Sequence, residues 1–445
     1  MNKILIIVFS LLCIVLMYFA SSPSDNFSTS VYLSSITIQI ISIYNIFSRD
    51  NQPFSLQKIF YLFTLFFFGI APLLQFYNGT TFFGSRKIDG YEYTYMNILI
   101  ILILVFYQLF YTYFYKQKIK EKRRNFILKL DINKKLNSLQ TFLIVSLSFA
   151  SFLLIFNVNN NSILSMLFRG GELKDLVEMT SVKSLIVFNV FQPLAMMCLL
   201  YYISSKSKKI LVYFILTLLA IVTCSPLGMP RFAAVAMYIP LLIFAVPLLK
   251  KKNIFSIVFI LGLLIIFPFL ENFRNYSGNS IQLGFNFEMF LQGHFDSYQN
   301  FTLVVSENII TWGRQLLGVL FFWIPRSFWP TKPIGSGAFL AEEQGFFFTN
   351  VSCNYFAEGY INFGIIGIFI FIIVLSFVTA KLDKMYWTIC VNSRNNYFNV
   401  IYCVLLGMIF FMLRGDLMSS FAYSIGFLFS IWLVYKVASF KIKRV

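Results

Sequence analysis

Twelve apolar runs, each close to the roughly 20 residues that a helix needs to cross a bilayer, constrain this chain more than any other feature. They fall at 3–20, 30–47, 56–77, 94–115, 138–156, 184–203, 208–225, 231–249, 253–271, 353–380, 396–413 and 417–437. Only 12% of the residues are charged, about half the share of a soluble domain, and the apolar residues come in blocks rather than in alternation. The expectation is an all-α polytopic integral membrane protein. The first run, in MNKILIIVFSLLCIVLMYFASS, could pass for a signal peptide. At about 17 residues it is long for that role, and further runs follow, so it reads as the first helix.

The net charge of +18 is sorted along the chain. With the N-terminus in the cytoplasm, the inner segments hold 25 of the 36 Lys and Arg but only 4 of the 18 acids. Twelve helices with both ends inside give this split, and a frame shifted by one helix reverses it. Topology and anionic inner-leaflet lipid explain the charge, so nucleic acid is not an implied partner. The most basic run, KQKIKEKRRNFILKLDINKK at 116–135, reads as a stop signal on the inner face rather than as a binding site. Six scattered cysteines without a CxxC suggest neither a disulfide framework nor a zinc site, and a single histidine excludes a histidine-rich metal centre.

The helices divide unevenly. Residues 1–271 carry the first nine, 353–445 the last three, and 272–352 form an extracytoplasmic connection of 81 residues within what reads as a single membrane domain. Loops beyond about 15 residues are usually functional or disordered. This one is rich in Phe, Trp and Leu, which predicts short helices at or near the membrane surface, including an amphipathic or re-entrant turn at 312–323 (WGRQLLGVLFFW). No internal repeat of the kind common in transporters is visible.

P-loop, HExxH, GxSxG and DxD motifs are absent from the outer segments; cations and one carboxylate at membrane depth stand out instead. Arg231 follows a tight turn rich in Pro and Gly (TCSPLGMPRF), where it can snorkel to lipid phosphate or bind a lipid-linked phosphate with its fork of donors. Arg414 sits in an equally short turn, FMLRGDLMSS, with Asp416 as its expected ion-pair partner. Arg326 and Lys332 lie in WIPRSFWPTKP, where Pro325, Pro330 and Pro333 stiffen the backbone and Trp323 and Trp329 offer flat faces, a combination suited to a sugar diphosphate. The following GSGAFLAEE looks like a hinge. Glu358, one turn into the tenth run, must pair with a cation or do acid–base work, and Gly359, Gly364 and Gly367 allow close helix approach. Arg274, Arg314 and Tyr360 extend the candidate substrate-binding set, and His294 beside Asp296 is a weaker acid–base candidate.

Three of these segments, PRFAAVAMYIPLL, WIPRSFWPTKP and NYFAEGYINFGIIG, together resemble the Wzy-type O-antigen and oligosaccharide repeat-unit polymerases, as does the late, dominant outer loop. The likeness spans most of residues 220–380. The paired R-x10-G pattern described for some members is met only by Arg326 and Gly337; Arg231 lacks the glycine, and Gly426 stands one residue too far from Arg414. The resemblance implies a GT-C-like glycosyltransferase of the bacterial inner membrane. Such an enzyme joins repeat units carried on undecaprenyl diphosphate at the outer face, without metal or cofactor, with a flippase and a chain-length regulator as partners. In that reading Arg231, Arg326 and Arg414, assisted by Lys332, stabilise the leaving diphosphate, and Glu358 orients or deprotonates the acceptor hydroxyl. The alternatives are a flippase or exporter of lipid-linked sugars, an O-antigen ligase relying on an outer-loop histidine such as His294, and a non-catalytic scaffold.

Overall fold

The computed structural model describes every residue except 1, 22–27, 49–51, 131–134, 169–180, 208, 230, 267–286, 391–395 and 441–445. The chain is 77% helix, with no strand among the described residues. Among the described residues, seven helices are long and apolar enough to cross a bilayer: Thr29–Phe47, Leu56–Tyr77, Gly90–Lys116, Ser138–Val158, Val187–Ser204, Tyr355–Cys390 and Leu417–Ala438. Five shorter apolar helices, Lys3–Tyr18, Ile210–Thr223, Ala233–Ala245, Ile254–Ile265 and Phe398–Arg414, fall on the other five expected runs.

Two of the long helices widen just before a proline. The π turn Leu65–Ile70 precedes Pro72, and Val187–Phe191 precedes Pro193. Proline donates no N–H and its ring crowds the carbonyl four residues back; a wider turn relieves both problems.

Leu56–Tyr77 is the axis of one sub-bundle, with 89% of its apolar window buried. Polar contacts tie it to the neighbouring helix Thr29–Phe47: Ser42 and Thr64 share a hydrogen bond of 2.9 Å, and Gln39 Nε2 donates to the Gly69 carbonyl at 2.9 Å. A second sub-bundle surrounds Val187–Ser204, built from Ser138–Val158, Ile210–Thr223 and Leu417–Ala438. Phe398–Arg414 joins the two. A β-carbon on its Gly407 would sit 2.3 Å from the Ala236 Cα, and Lys250 lies within electrostatic range of Cys403, so this helix runs antiparallel to Arg231–Ala245.

The long connection is described from residue 287 onward, and it does form short helices. One of them departs from the expected surface position. Ser297–Ser306 is sunk into the end of the bundle, with residues 297 to 304 buried. Polar side chains draw it in. Gln75 Nε2 donates to the Phe290 and Phe295 carbonyls at 2.8 and 3.0 Å, and Tyr298 Oη donates to Asn97 Oδ1 at 2.9 Å. Asn354 Nδ2 donates to the Ser297 carbonyl at 2.9 Å. The GSGAFLAEE stretch is no hinge. It forms the helix Ser336–Glu343, and Gly337 packs so tightly that a β-carbon there would lie 2.1 Å from the Val351 carbonyl oxygen.

The tenth expected span, 353–380, is also corrected: it is not one straight helix. Phe363 and Gly364 leave helical geometry, Gly364 at φ 61° and ψ −148°. The chain reverses there. The Tyr355 and Phe371 rings lie 4.9 Å apart, whereas a straight helix would separate those residues by about 24 Å. A β-carbon on Gly367 would fall 1.8 Å from the Gly359 carbonyl oxygen, so only glycine fits this contact. Residues 355–362 therefore form a half-helix folded against 364–385.

Candidate functional site

The half-helix exists because both its ends are supplied with partners. At its start, Asn354 Oδ1 accepts from the N–H groups of Phe356 and Ala357 at 3.0 and 2.9 Å. At its end, orphan carbonyls meet the chain just before Arg314–Leu320: Thr311 N–H donates to Ile361 at 2.6 Å and Gly313 N–H to Asn362 at 2.9 Å. The Asn362 side chain ties the two together, donating to the Glu358 carbonyl at 2.9 Å and accepting from Leu316 N–H at 2.8 Å.

Glu358 is fully buried on this half-helix. Its Oε1 accepts from Leu417 N–H, at the first turn of Leu417–Ala438, at 2.8 Å. Its Oε2 accepts from Ser336 Oγ at 2.8 Å. Asp416 caps the same helix start, accepting from Ser419 N–H at 2.9 Å, so two carboxylates share one helix N-terminus, where the dipole favours negative charge. Cys353 lies within electrostatic range of Glu358, Asp416 and Asp296, which marks an acidic centre at this end of the bundle.

The cationic segment 323–335 stands over that centre. Arg326 donates to the carbonyls of Lys332 and Pro333 at 2.7 and 3.2 Å, and Lys332 Nζ donates to those of Phe322 and Ile324 at 2.6 and 3.0 Å. The two cations therefore lace the prolines into one rigid loop. Partial burial, and then the neighbouring Arg326, lower the Lys332 ammonium pKa from its ordinary value. Arg314 Nη2 reaches the Thr331 carbonyl at 3.4 Å. None of the three forms an ion pair with a carboxylate among the described residues. The base of the loop touches the acidic centre. A β-carbon on Gly335 would sit 3.1 Å from Asp416 Oδ1, and the next residue is Ser336. Trp329 is half-buried on this loop, while Trp323 and Phe328 are exposed.

Arg414 is placed otherwise than its sequence neighbours suggest. Its Nη2 lies 3.8 Å from Asp296 Oδ1, and its Nε donates to the His294 carbonyl at 3.1 Å. Asp416, the expected partner, is engaged with Ser419. Asp296 in turn accepts from Ser352 N–H, Ser352 Oγ and Asn300 Nδ2 at 2.9, 2.5 and 3.1 Å, which holds it in place to anchor Arg414. Tyr360 Oη donates to Asn308 Oδ1 at 2.9 Å, on the flank of the half-helix. Arg231 opens Arg231–Ala245 and Arg414 closes its antiparallel neighbour, which brings both backbones to this end. The Arg231 side chain and all of Arg274 lie outside the described residues.

Ser336 and Asn362 are contacts that the sequence reading missed. Both are small polar residues in apolar surroundings, a signal that a lone Ser or Asn gives too often to be specific.

The fold defines a class, a multi-pass helical membrane protein. No family model, curated protein or solved structure matches the chain.

Proposed function

We propose that the protein is a membrane glycosyltransferase that joins undecaprenyl-diphosphate-linked oligosaccharide repeat units. One observation carries the reading: Arg326 and Lys332 sit on a stiffened segment that Arg314 reaches from the neighbouring helix, none of the three has an acidic partner among the described residues, and the base of the segment donates a hydrogen bond to the buried Glu358. Cations in want of an anion suit a diphosphate leaving group, and a carboxylate with one rotatable hydroxyl partner suits a general base.

In the proposed reaction the acceptor hydroxyl oxygen forms a bond to the anomeric carbon. The bond from that carbon to the diphosphate breaks, and its electron pair leaves on the diphosphate. Glu358 takes the hydroxyl proton, once the acceptor has displaced Ser336. Arg326, Lys332 and Arg314 stabilise the departing charge, with Arg231 at the same end and Arg414 bracing the floor through Asp296. The full proposal has twelve spans in a GT-C-like arrangement, both termini in the cytoplasm of a bacterium and 272–352 outside, with a flippase and a chain-length regulator in the same inner membrane.

The test is the surface polysaccharide of a strain whose only copy carries Arg326→Ala or Arg231→Ala. Single capped repeat units are expected. Full-length ladders from correctly inserted variants overturn the assignment, bare core with polymer on the carrier points to a ligase, and units trapped inside point to a flippase.

A further inference from the structure

Far from Glu358, the basic run 116–135 takes part in a folded cavity of about 610 Å³. Lys118, Arg124 and Lys384 line it together with the apolar Ile119, Leu128 and Ile389. The helix Glu121–Lys129 is held in place from another part of the chain: Asn396 Nδ2 donates to the Ile127 carbonyl at 2.8 Å, and Tyr397 N–H donates to that of Leu130 at 2.9 Å. Lys384, on the long helix, donates to the Gln117 carbonyl at 2.9 Å, which fixes one wall. Among the described residues no carboxylate lines the cavity. Asp383, next to Lys384, is buried with four donors on its two oxygens, and Glu121 is exposed outside the lining.

A stop signal needs charge but no shaped cavity, and none closed by a lysine from a distant span. The helix from Gly364 to Lys384 is about 30 Å long, the thickness of the hydrocarbon core. The cavity therefore lies at the membrane boundary opposite the acidic centre. Three cations converging on one cavity suit a phosphate, and Leu128 of its apolar wall is 47% exposed.

We infer that this cavity is a binding site for an anionic phospholipid of the leaflet at that end, its phosphate held by Lys118, Arg124 and Lys384 and its acyl chains lying along Ile119, Leu128 and Ile389. A soluble phosphate compound shares the headgroup chemistry but makes no use of the apolar wall.

Native mass spectrometry of the delipidated full-length protein, exposed to equal amounts of phosphatidylglycerol and phosphatidylcholine, decides the matter. Phosphatidylglycerol should be retained in preference by about tenfold. The preference should vanish in the Lys118→Gln/Arg124→Gln double variant and in Lys384→Gln. It should persist in Lys120→Gln, which removes an exposed cation of the same run from outside the lining. No preference in the unaltered protein, or an equal loss from Lys120→Gln, overturns the site in favour of diffuse charge. Displacement of the lipid by millimolar inorganic phosphate assigns the cavity to a soluble ligand and overturns the lipid. Should Lys384→Gln disturb the fold through its lost carbonyl contact, the double variant at two exposed positions still decides.

Discussion

Asp383 and Glu358 are fully buried carboxylates near opposite ends of one broken helix, and their surroundings differ in kind. Asp383 accepts from Leu56 N–H at 2.9 Å, Gln57 N–H at 3.2 Å, Tyr111 Oη at 2.7 Å and Tyr402 Oη at 2.5 Å. It caps the start of the central helix and is locked there by tyrosines from two others. Glu358 receives two donors, one of them a serine hydroxyl, and has Asp416 as a neighbour at the same helix N-terminus. An ionised carboxylate has about four acceptor positions. Asp383 is saturated and serves as a post for the fold. Glu358 keeps half its capacity, which suits the proton exchange proposed for it.

The largest expected effect separates these roles by rate. Glu358→Gln preserves size and keeps an oxygen for Leu417 N–H, so unfolding in detergent should shift by no more than about 1 kcal/mol. Under the proposed function, repeat-unit polymerisation in membranes should fall by about 10² to 10⁴-fold, as expected when a general base is lost. A variant that polymerises normally removes Glu358 from the chemistry. Next in size is Asp383→Asn, which turns an amide N–H toward buried donors that now share one oxygen. It should destabilise the protein by about 3 kcal/mol, with polymer yield falling only as the folded fraction falls. Unchanged thermal stability would mean that the four-donor cap is dispensable.

How legible this was in the sequence depended on the range of the interactions. Spans are written in local hydropathy, and each expected run has an apolar helix, long or short, on it. The reversal at Phe363–Gly364 was hidden because 355–362 runs straight into the apolar span, with no proline or charge run between them to mark a break. Gly359, Gly364 and Gly367 signalled close packing but not that the chain packs on itself. Proximity in sequence misled at Arg414, where Asp416 was the nearer acid but the helix start beyond it claimed that carboxylate, leaving the pairing to Asp296. The lip cations were legible as a cluster. Their bracing was not, because its acceptors are backbone carbonyls that no residue type announces.

Two smaller effects probe how Glu358 is held. Gly367→Ala pushes a methyl into the Gly359 carbonyl and should destabilise the protein by about 1–3 kcal/mol, with polymerisation reduced because the half-helix must move. Proteolysis of the folded protein should then open near 363, and an unchanged cleavage pattern would show that the reversal tolerates the methyl.

Ser336→Ala is the finest cut. It removes one donor from Glu358 Oε2, while the backbone stays anchored because Gly337 still packs on Val351. The expected loss is about 1 kcal/mol in unfolding free energy. The polymerisation rate should change by less than tenfold, since the acceptor hydroxyl is proposed to take the serine's place in the reacting complex. Ser336→Thr, which keeps the hydroxyl, should recover the lost stability. If Ser336→Ala were as inactive as Glu358→Gln, the hydroxyl itself would belong to the chemistry. Ser336 and Glu358 would then act as one unit, rather than as a base and the group that shields it.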